Sequence, residues 1–234
     1  MSKSHPQQWQ IVTQVDRPDP DSVAALARFP TTQIADSAGP VSVVDPPIRW
    51  LAGDTEVCGP AVTLWIKPGD ILFLLKSPDL VTEGDVLIVD GGGREDAAVV
   101  GDIVSGYLAQ RGCRGIIVDG AVRDTDGIDE VGLPVFGRNT YPTTGSNVGP
   151  GAINVPIQCG GVAVHPGDIV RADSSGVVIV PKDRVADVLA ATQAVADREA
   201  EWRSALANGS NISTVMGLDE QIDRLRAAAQ HTGH

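Results

Sequence analysis

Short apolar runs, each bounded by turn-forming residues, recur through the middle of the chain. Three of them are rich in β-branched residues: "CGPAVTLWI" from Cys58, "GDVLIVDGGG" from Gly84 and "GIIVDG" from Gly115. Runs of this kind are typical of buried strands. Further strands are predicted in "LPVFGRN", "INVPIQCGGVAV" and "HPGDIVRADSSGVVIVPKD". The pattern therefore predicts an α/β or α+β domain with a mixed sheet.

Helical spacing of apolar positions marks other segments. It predicts short helices in "DPDSVAALARF" and "TTQIADSAG". A longer helix is predicted over "REDAAVVGDIVSGYLAQRG", residues 94–112, with Gly101 as a weak point where the helix can restart. The segment "PGDILFLLK" fits either a helix or a strand. A long tail helix is predicted from near Asp183 to Gly209.

These elements divide the chain into three parts. Residues 1–18 are polar and contain proline, and we expect a flexible N-terminal arm there. Residues 19–182 are predicted to form the α/β domain that would carry a catalytic site. Residues 183–234 are predicted to form a C-terminal helical extension.

Composition limits the partners that the chain could bind. A formal net charge of −12 argues against nucleic acid and anionic membranes as partners, although a local positive pocket could still bind a small anion. Three widely spaced cysteines without a CxxC motif favour a reducing, cytoplasmic setting. We expect no signal peptide, because the first ten residues contain no apolar segment, and no apolar run reaches the roughly 18 residues of a membrane helix.

The strongest candidate for chemistry is the pair Arg123-Asp124, which follows the "GIIVDG" strand. The carboxyl end of a strand is the usual place for a site in an α/β protein. An arginine fork suits a carboxylate, and an aspartate is an oxygen ligand suited to Mg²⁺. A 2-oxo acid would offer a carboxylate to the arginine and a keto oxygen to the metal. The alternative is a turn built by Asp126-Gly127, with Arg123 solvated.

A second candidate is "GDIV", residues 101–104. A helix that restarts at Gly101 would leave the N–H groups of Ile103 and Val104 free for a carboxylate, with Asp102 beside the bound group. The alternative is an ordinary exposed helical aspartate.

Other motifs are weaker. Gly91–Gly93 could form a phosphate-binding turn between a strand and a helix, but neither GxGxxG nor a P-loop is present. His165 has no second histidine or cysteine at ligand spacing, which disfavours zinc. No GxSxG occurs, which disfavours a serine hydrolase.

Five segments occur together in a fixed order: "VDGGG", "VVGDIV", "GIIVDGAVRD", "LPVF" and "PGDIVRADSSGVVIVP". In this order they resemble the family that contains the regulator of ribonuclease activity A and the 4-hydroxy-4-methyl-2-oxoglutarate aldolases, which are class II pyruvate aldolases. The resemblance runs from about residue 20 to about residue 220. It implies a compact αββα-type domain with a mixed sheet or barrel core and a long C-terminal helix. It also implies a homo-oligomer, trimer or hexamer, with the site between subunits.

The same resemblance assigns roles to residues. Asp124 matches the aspartate that binds Mg²⁺ or Mn²⁺, and Arg123 matches the arginine that holds pyruvate. Asp102 matches the acid that positions a water, and Gly101, Ile103 and Val104 match the segment whose amides meet the pyruvate carboxylate. Glu199 matches an acid that a neighbouring subunit supplies from its tail, with Glu201 as the other choice.

We therefore expect a metal-dependent aldolase that cleaves a 4-hydroxy-2-oxo acid to pyruvate, with oxaloacetate decarboxylation as a side reaction. One departure bears on the substrate: Phe73-Leu74-Leu75 is apolar where the family often carries a polar residue. Two other functions stay open. One is a non-catalytic regulator that binds a ribonuclease or another protein, and the other is a methyltransferase, suggested only by the glycine run.

Overall fold

Within residues 7–231, which the computed structural model describes, the apolar runs form a ten-stranded sheet and a separate two-stranded hairpin. The strands are β1 (Ser42–Val43), β2 (Arg49–Ala52), β3 (Val57–Ile66), β4 (Val86–Val100), β5 (Gly115–Val122), β6 (Val135–Gly137), β7 (Asn139–Thr140), β8 (Gly151–Ile153), β9 (Ile157–Cys159), β10 (Val162–Val164), β11 (Ile169–Asp173) and β12 (Gly176–Val180). The main path across the sheet is β1-β12-β11-β3-β4-β5-β6-β2, and β9 and β10 form the hairpin.

The centre of the sheet is parallel. β3, β4, β5 and β6 are parallel neighbours, while the antiparallel β11–β12 hairpin extends the sheet beyond β3. Parallel strands are covered on both faces and so tolerate few polar side chains. Every residue of β5 is buried, which explains its nearly continuous apolar run. The carboxyl ends of β4 and β5 open at the same edge of the sheet.

Helices cover the sheet on separate faces. They are α1 (Pro20–Leu26), α2 (Thr31–Ala35), α3 (Leu72–Lys76), α4 (Asp102–Gln110), α5 (Thr125–Val131), α6 (Val185–Ala207), α7 (Ile212–Met216) and α8 (Leu218–His231). One apolar cluster joins the central strands to α3, α4 and α5. A second cluster fills the opposite face beneath the β9–β10 hairpin. A third joins α1, α2 and α6 to β11 and β12.

The predicted fold class is confirmed: the chain is a mixed α/β protein with a long C-terminal helix. The tail helix α6 ends at Ala207, close to the expected stop at Gly209. The undecided segment "PGDILFLLK" contains the short helix α3.

The helix predicted over residues 94–100 is wrong, because Arg94–Val100 continues strand β4. Ala98 and Val100 pair with Ala121 and Val122 of β5, so the sheet outweighs the helical spacing of the sequence. The predicted glycine-rich turn into a helix is absent as well. Gly91–Gly93 lie inside β4, where the register with β5 shifts after Val89 as at a β-bulge.

The first described residues lie against the sheet. The Trp9 N–H donates to the Gly151 carbonyl at 2.6 Å, and the Val12 N–H donates to the Ile153 carbonyl at 3.1 Å, both along β8. Residues 1–6 of the predicted arm lie outside the described residues. The division into arm, domain and extension stays a prediction. Among the helices described, none combines the length and the apolar character that crossing a membrane requires.

Candidate active site

Asp102, Arg123 and Asp124 come together where strands β4 and β5 end, at the same edge of the sheet. β4 ends at Val100, and β5 ends at Val122, its partner in the parallel register. The Arg123 N–H donates to the Val100 carbonyl at 2.9 Å, which extends the pairing by one residue. α4 and α5 then start at the same edge, so Asp102 and Asp124 lie at neighbouring helix starts.

Arg123 and Asp124 form an ion pair in which Arg123 Nε lies 3.2 Å from Asp124 Oδ2. The two side chains are 37% and 43% exposed, so both can still meet a ligand. Asp124 has φ 56° and ψ 42°, a left-handed conformation that a non-glycine residue rarely adopts. It is the N-cap residue of α5, yet its carboxylate makes no capping hydrogen bond. The backbone therefore holds this carboxylate beside Arg123 without using it to stabilise the helix.

Two glycines leave room for the acidic side chains. A Cβ atom at Gly101 would lie 2.9 Å from Asp124 Oδ2 and 3.2 Å from Arg123 Nε. A Cβ atom at Gly127 would lie 2.8 Å from the Cβ of Asp102. The absence of a side chain at both positions allows the carboxylates to lie this close to the neighbouring backbone.

The first turn of α4 presents amide groups, but one of them is already used. Ile103 N–H donates to Asp102 Oδ1 at 2.7 Å. The first intrahelical bond runs from Ser105 N–H to the Gly101 carbonyl at 3.1 Å, so Val104 N–H has no acceptor within the helix. Of the two predicted carboxylate-binding amides, only Ile103 N–H is taken by the Asp102 side chain, so Val104 N–H is the one left for a ligand.

A cavity of about 270 Å³ opens beside these residues. Arg123 and the residues from Gly101 to Val104 line it. The other lining residues are Thr144 and five hydrophobic residues from α3 and its flanks, β4 and α4, which we call the apolar wall: Ile71, Leu75, Pro78, Val99 and Tyr107. Sequence reasoning missed this wall, although Ile103 and Tyr107 are spaced by four residues on one helical face, which is a detectable signal.

The donors at this edge suit a hard divalent cation better than zinc. In the described part of the chain, no three His, Cys, Asp or Glu side chains gather to hold a metal. Mg²⁺ needs no such cluster, because it usually keeps several waters and binds through one or two carboxylates. Asp124 supplies an exposed carboxylate without a capping role, which fits that mode.

The remaining predicted residue, Glu199, lies elsewhere in the same chain. It is on α6, where Gln33 Nε2 donates to Glu199 Oε2 at 2.9 Å and Arg203 forms an ion pair with it. The Gln33 hydrogen bond, followed by the Arg203 interaction, lowers the pKa of Glu199. Neither partner lines the cavity beside Arg123, so a single chain does not bring Glu199 to the other site residues. Its role at a neighbouring subunit's site stays a prediction.

The cysteines are not candidate nucleophiles. Cys58, Cys113 and Cys159 are all free, and burial raises the pKa of each thiol, that of Cys58 to about 11. A thiol that stays protonated at neutral pH is a poor nucleophile.

Comparison with known proteins defines the class. The family model described as "RraA-like: Aldolase/RraA" matches residues 31–179. This range contains the sheet through most of β12 and every predicted site residue except Glu199. The chain belongs to the RraA-like family.

Individual relatives within this class differ in the functions that their names state. A protein of Halalkalibacterium halodurans named "Putative 4-hydroxy-4-methyl-2-oxoglutarate aldolase" is 36% identical over 185 residues, covering 79% of this chain and 88% of that protein. Streptomyces coelicolor RraAS2, whose structure is described as an unusual member of the RNase ES inhibitor RraA protein family, has a TM-score of 0.72 and 29% identity, covering 80% of this chain and 99% of that one.

A third similar structure is described as S-adenosylmethionine:2-dimethylmenaquinone methyltransferase, from Geobacillus kaustophilus. It has a TM-score of 0.63 and 31% identity, covering 68% of this chain and 98% of that one. Names within the family therefore include an aldolase, an RNase inhibitor and a methyltransferase, and the choice among them depends on the site.

Proposed function

We propose that the protein is a divalent-metal-dependent aldolase that cleaves a 4-hydroxy-2-oxo acid, such as 4-hydroxy-4-methyl-2-oxoglutarate, to pyruvate and a second carbonyl compound. The observation that carries the proposal is the exposed Arg123–Asp124 ion pair, whose Arg123 lines a cavity together with Asp102. This reaction needs three groups. A guanidinium binds the substrate carboxylate, one carboxylate binds the cation, and a second carboxylate accepts a proton. The relative of 36% identity carries the name of such an aldolase.

Arg123 would hold the anionic end of the substrate. Its guanidinium is partly exposed and keeps donors beyond the single contact to Asp124. As the C3–C4 bond breaks, negative charge develops on the three-carbon fragment, and a fixed cation beside that fragment stabilises the charge. The free N–H of Val104 at the start of α4 would donate to the substrate carboxylate.

Asp124 would hold the cation, Mg²⁺ or Mn²⁺. When bound, such an ion supplies Lewis-acid polarisation of the keto group. The left-handed backbone at Asp124 places the carboxylate beside Arg123 and Gly101.

Asp102 would handle the proton of the C4 hydroxyl. Its Oδ1 accepts the Ile103 amide, which fixes the carboxylate and leaves Oδ2 to accept a proton from the hydroxyl through one water. The electrons of the O–H bond then form the new C=O at C4, the electrons of the C3–C4 bond pass to the pyruvate fragment, and water protonates that fragment at C3. Loss of CO₂ from oxaloacetate leaves the same fragment, so this decarboxylation is the expected side reaction.

The test is pyruvate release from 4-hydroxy-4-methyl-2-oxoglutarate and from oxaloacetate, measured with Mg²⁺ and then with EDTA. We expect release with the metal and its loss on chelation, with recovery when Mg²⁺ or Mn²⁺ is added in excess. Release that persists in EDTA would overturn the metal dependence. Absence of release from any 4-hydroxy-2-oxo acid would overturn the aldolase.

The resemblance also leads us to propose a homo-oligomer, a trimer or hexamer, in which Glu199 reaches the site of a neighbouring subunit. Light scattering would give the mass in solution. Loss of pyruvate release in Glu199→Gln, but not in Glu201→Gln, would support the assignment of Glu199.

Two rival functions have separate tests. A non-catalytic regulator would bind a ribonuclease without any turnover of 2-oxo acids, and the similarity to Streptomyces coelicolor RraAS2 favours testing it. A methyltransferase would bind S-adenosylmethionine in a calorimetric titration. Its basis in this sequence was a glycine turn before a helix, and Gly91–Gly93 lie within β4 instead.

A further inference from the structure

We infer that the C-terminal helix α8 is an interaction surface whose partner is α8 of a second copy of this chain, packed antiparallel to it. The inference does not depend on the proposed aldolase activity. Its basis is a narrow apolar stripe that one chain leaves exposed, together with the opposite charges that flank the stripe towards its two ends.

The apolar stripe of α8 consists of Leu218, Ile222, Leu225 and Ala229. Successive members are four, three and four residues apart, which places all of them on one side of the helix. This alternation is the spacing of a coiled-coil seam, whereas a helix that packs on a globular core usually carries a wider apolar face. The stripe therefore indicates a contact with one other helix.

Within one chain this stripe is largely uncovered. Ile222 is 49% exposed and Leu225 is 62% exposed. Of the elements described, α8 packs most against α7, a helix of five residues. A helix of 14 residues is only marginally stable in water by itself, so α8 should gain stability from a partner that covers its apolar side.

Charge is distributed unevenly along α8. Asp219, Glu220 and Asp223 lie in its first half, and Arg224 and Arg226 lie in its second half. Two parallel copies would place like charges beside each other, whereas two antiparallel copies place the acidic half of each helix beside the basic half of the other. Such complementary charges fix orientation and disfavour the wrong one. The antiparallel pair is therefore the favoured arrangement.

The stripe also fixes the register of the pair. When Ile222 of one copy packs against Leu225 of the second copy, Leu218 of the first copy meets Ala229 of the second. A two-fold axis then repeats both layers, so that the same surface serves both chains. The contact is self-complementary and needs no other protein.

This register brings a charged residue of each sign together beside the seam. Asp219 directly follows Leu218, and Arg226 directly follows Leu225, so Asp219 of one copy lies beside Arg226 of the second copy. Within one chain these two residues are seven apart, whereas ion pairs on a helix surface join residues three or four apart. Arg226 pairs within its own chain with Asp223 at 3.4 Å, an exposed contact that leaves its other donors usable.

The contact has a consequence for the assembly. α8 is about 21 Å long, so one pair of helices is a small interface. It holds best where it is repeated, as between two trimers, where three such contacts act together. Because a two-fold contact joins chains in pairs, we expect a dimer or a hexamer in solution and not a trimer.

Sedimentation velocity of the full chain over a range of concentrations tests the seam. Ile222→Glu places a carboxylate from each copy in the seam, and we expect the mass to halve and the dissociation constant to rise about a hundredfold or more. Ala227→Glu is the matched control, because it adds the same charge on the opposite side of α8 and should leave the mass unchanged. Both positions are exposed, so both variants should fold alike, which circular dichroism checks.

A charge exchange tests the register. Asp219→Lys and Arg226→Glu each place like charges opposite one another, and each should raise the dissociation constant by about tenfold. The double variant restores opposite charges with their signs reversed, and its dissociation constant should return close to that of the unmodified chain. A parallel pair, or a contact with another surface, would give no such recovery.

Each outcome supports or overturns the inference. An unmodified chain with an odd multiple of the chain mass would overturn it, since the stripe would then not meet a copy of itself. An equal response of Ile222→Glu and Ala227→Glu would overturn the role of the seam, and a double charge variant without recovery would overturn the antiparallel register. Pyruvate release, measured separately, decides the proposed function.

Discussion

Arginine and aspartate lie close together in the sequence at two places, and the two places have opposite environments; at the second, the ion pair of Arg171 is with Glu56. Arg123-Asp124 follows β5, and Arg171 and Asp173 lie in β11. The side chains of Arg123 and Asp124 are each more than a third exposed, and both keep donors or acceptors beyond their mutual contact. In the second pair, Arg171 is 4% exposed and Asp173 is 9% exposed.

The buried pair is saturated by protein partners. Arg171 donates to the Phe29 and Ala172 carbonyls at 3.0 Å each, and to Glu56 Oε2 at 2.8 Å. Asp173 accepts from Thr31 N–H at 2.8 Å and from Thr31 Oγ1 at 2.7 Å. These bonds join α2 to the sheet. A polar group whose partners are all protein atoms contributes to stability, whereas one that keeps free donors and acceptors can bind a ligand.

The largest effect should follow from removing the exposed carboxylate. Asp124→Asn keeps the shape of the side chain, and asparagine tolerates the left-handed backbone, so the thermal midpoint should change little. Loss of the cation ligand should lower kcat/KM for pyruvate release by about a thousandfold or more. A loss smaller than about tenfold, measured at saturating Mg²⁺, would contradict the role of Asp124.

The buried pair should respond in the opposite way. Asp173→Asn replaces one of the two acceptor oxygens by an NH₂ donor, so the side chain can no longer accept from Thr31 N–H, Thr31 Oγ1 and Ser175 N–H together. We expect a loss of about 1–3 kcal/mol in the free energy of unfolding. Activity per folded molecule should stay at the level of the unmodified protein. Chemical denaturation followed by circular dichroism gives the stability, and a large drop in activity without a loss of stability would contradict the comparison.

Adding a methyl group at Gly101 should have a smaller effect on activity. Gly101→Ala is compatible with the extended backbone there, but its Cβ would displace the Asp124 carboxylate and the Arg123 side chain. We expect kcat/KM to fall by about tenfold, or about 1.4 kcal/mol. Gly106→Ala in the same helix α4 is the control, because its Cβ would meet only Val131 Cγ2 at 3.6 Å. That variant should keep its activity and gain up to about 1 kcal/mol of stability.

The smallest expected effect is on thermal stability at acidic pH. Burial alone would raise the pKa of Asp173, but hydrogen bonds from Thr31 and Ser175 outweigh it and lower the pKa. A carboxylate with a lowered pKa in the folded state stabilises the protein fully above its unfolded pKa of about 3.9 and less as pH falls through the lowered value. Thermal midpoints measured from about pH 6 down to about pH 3 should therefore fall less steeply in Asp173→Asn. Identical slopes would contradict this role of Asp173.

The sequence by itself determined strands β3, β5, β11 and β12, the tail helix and the short motifs that carry chemistry. Runs such as "GIIVDG" are apolar because both faces of a central parallel strand are covered, and this requirement is visible residue by residue. The order of five segments, "VVGDIV" and "GIIVDGAVRD" among them, indicated the family. Local patterns can be found in a sequence because they arise from neighbours along the chain.

Only the tertiary structure decided what depends on contacts between distant segments. Residues 94–100 have helical spacing, yet pairing with β5 made them a strand. The sequence marked Arg123-Asp124 as a candidate site, but only the structure showed that Arg171 and Asp173 are buried, since the burial of a side chain is set by elements far away along the chain. The apolar wall beside Arg123 likewise exists because α3 and α4, which are far apart along the chain, pack against the same strands.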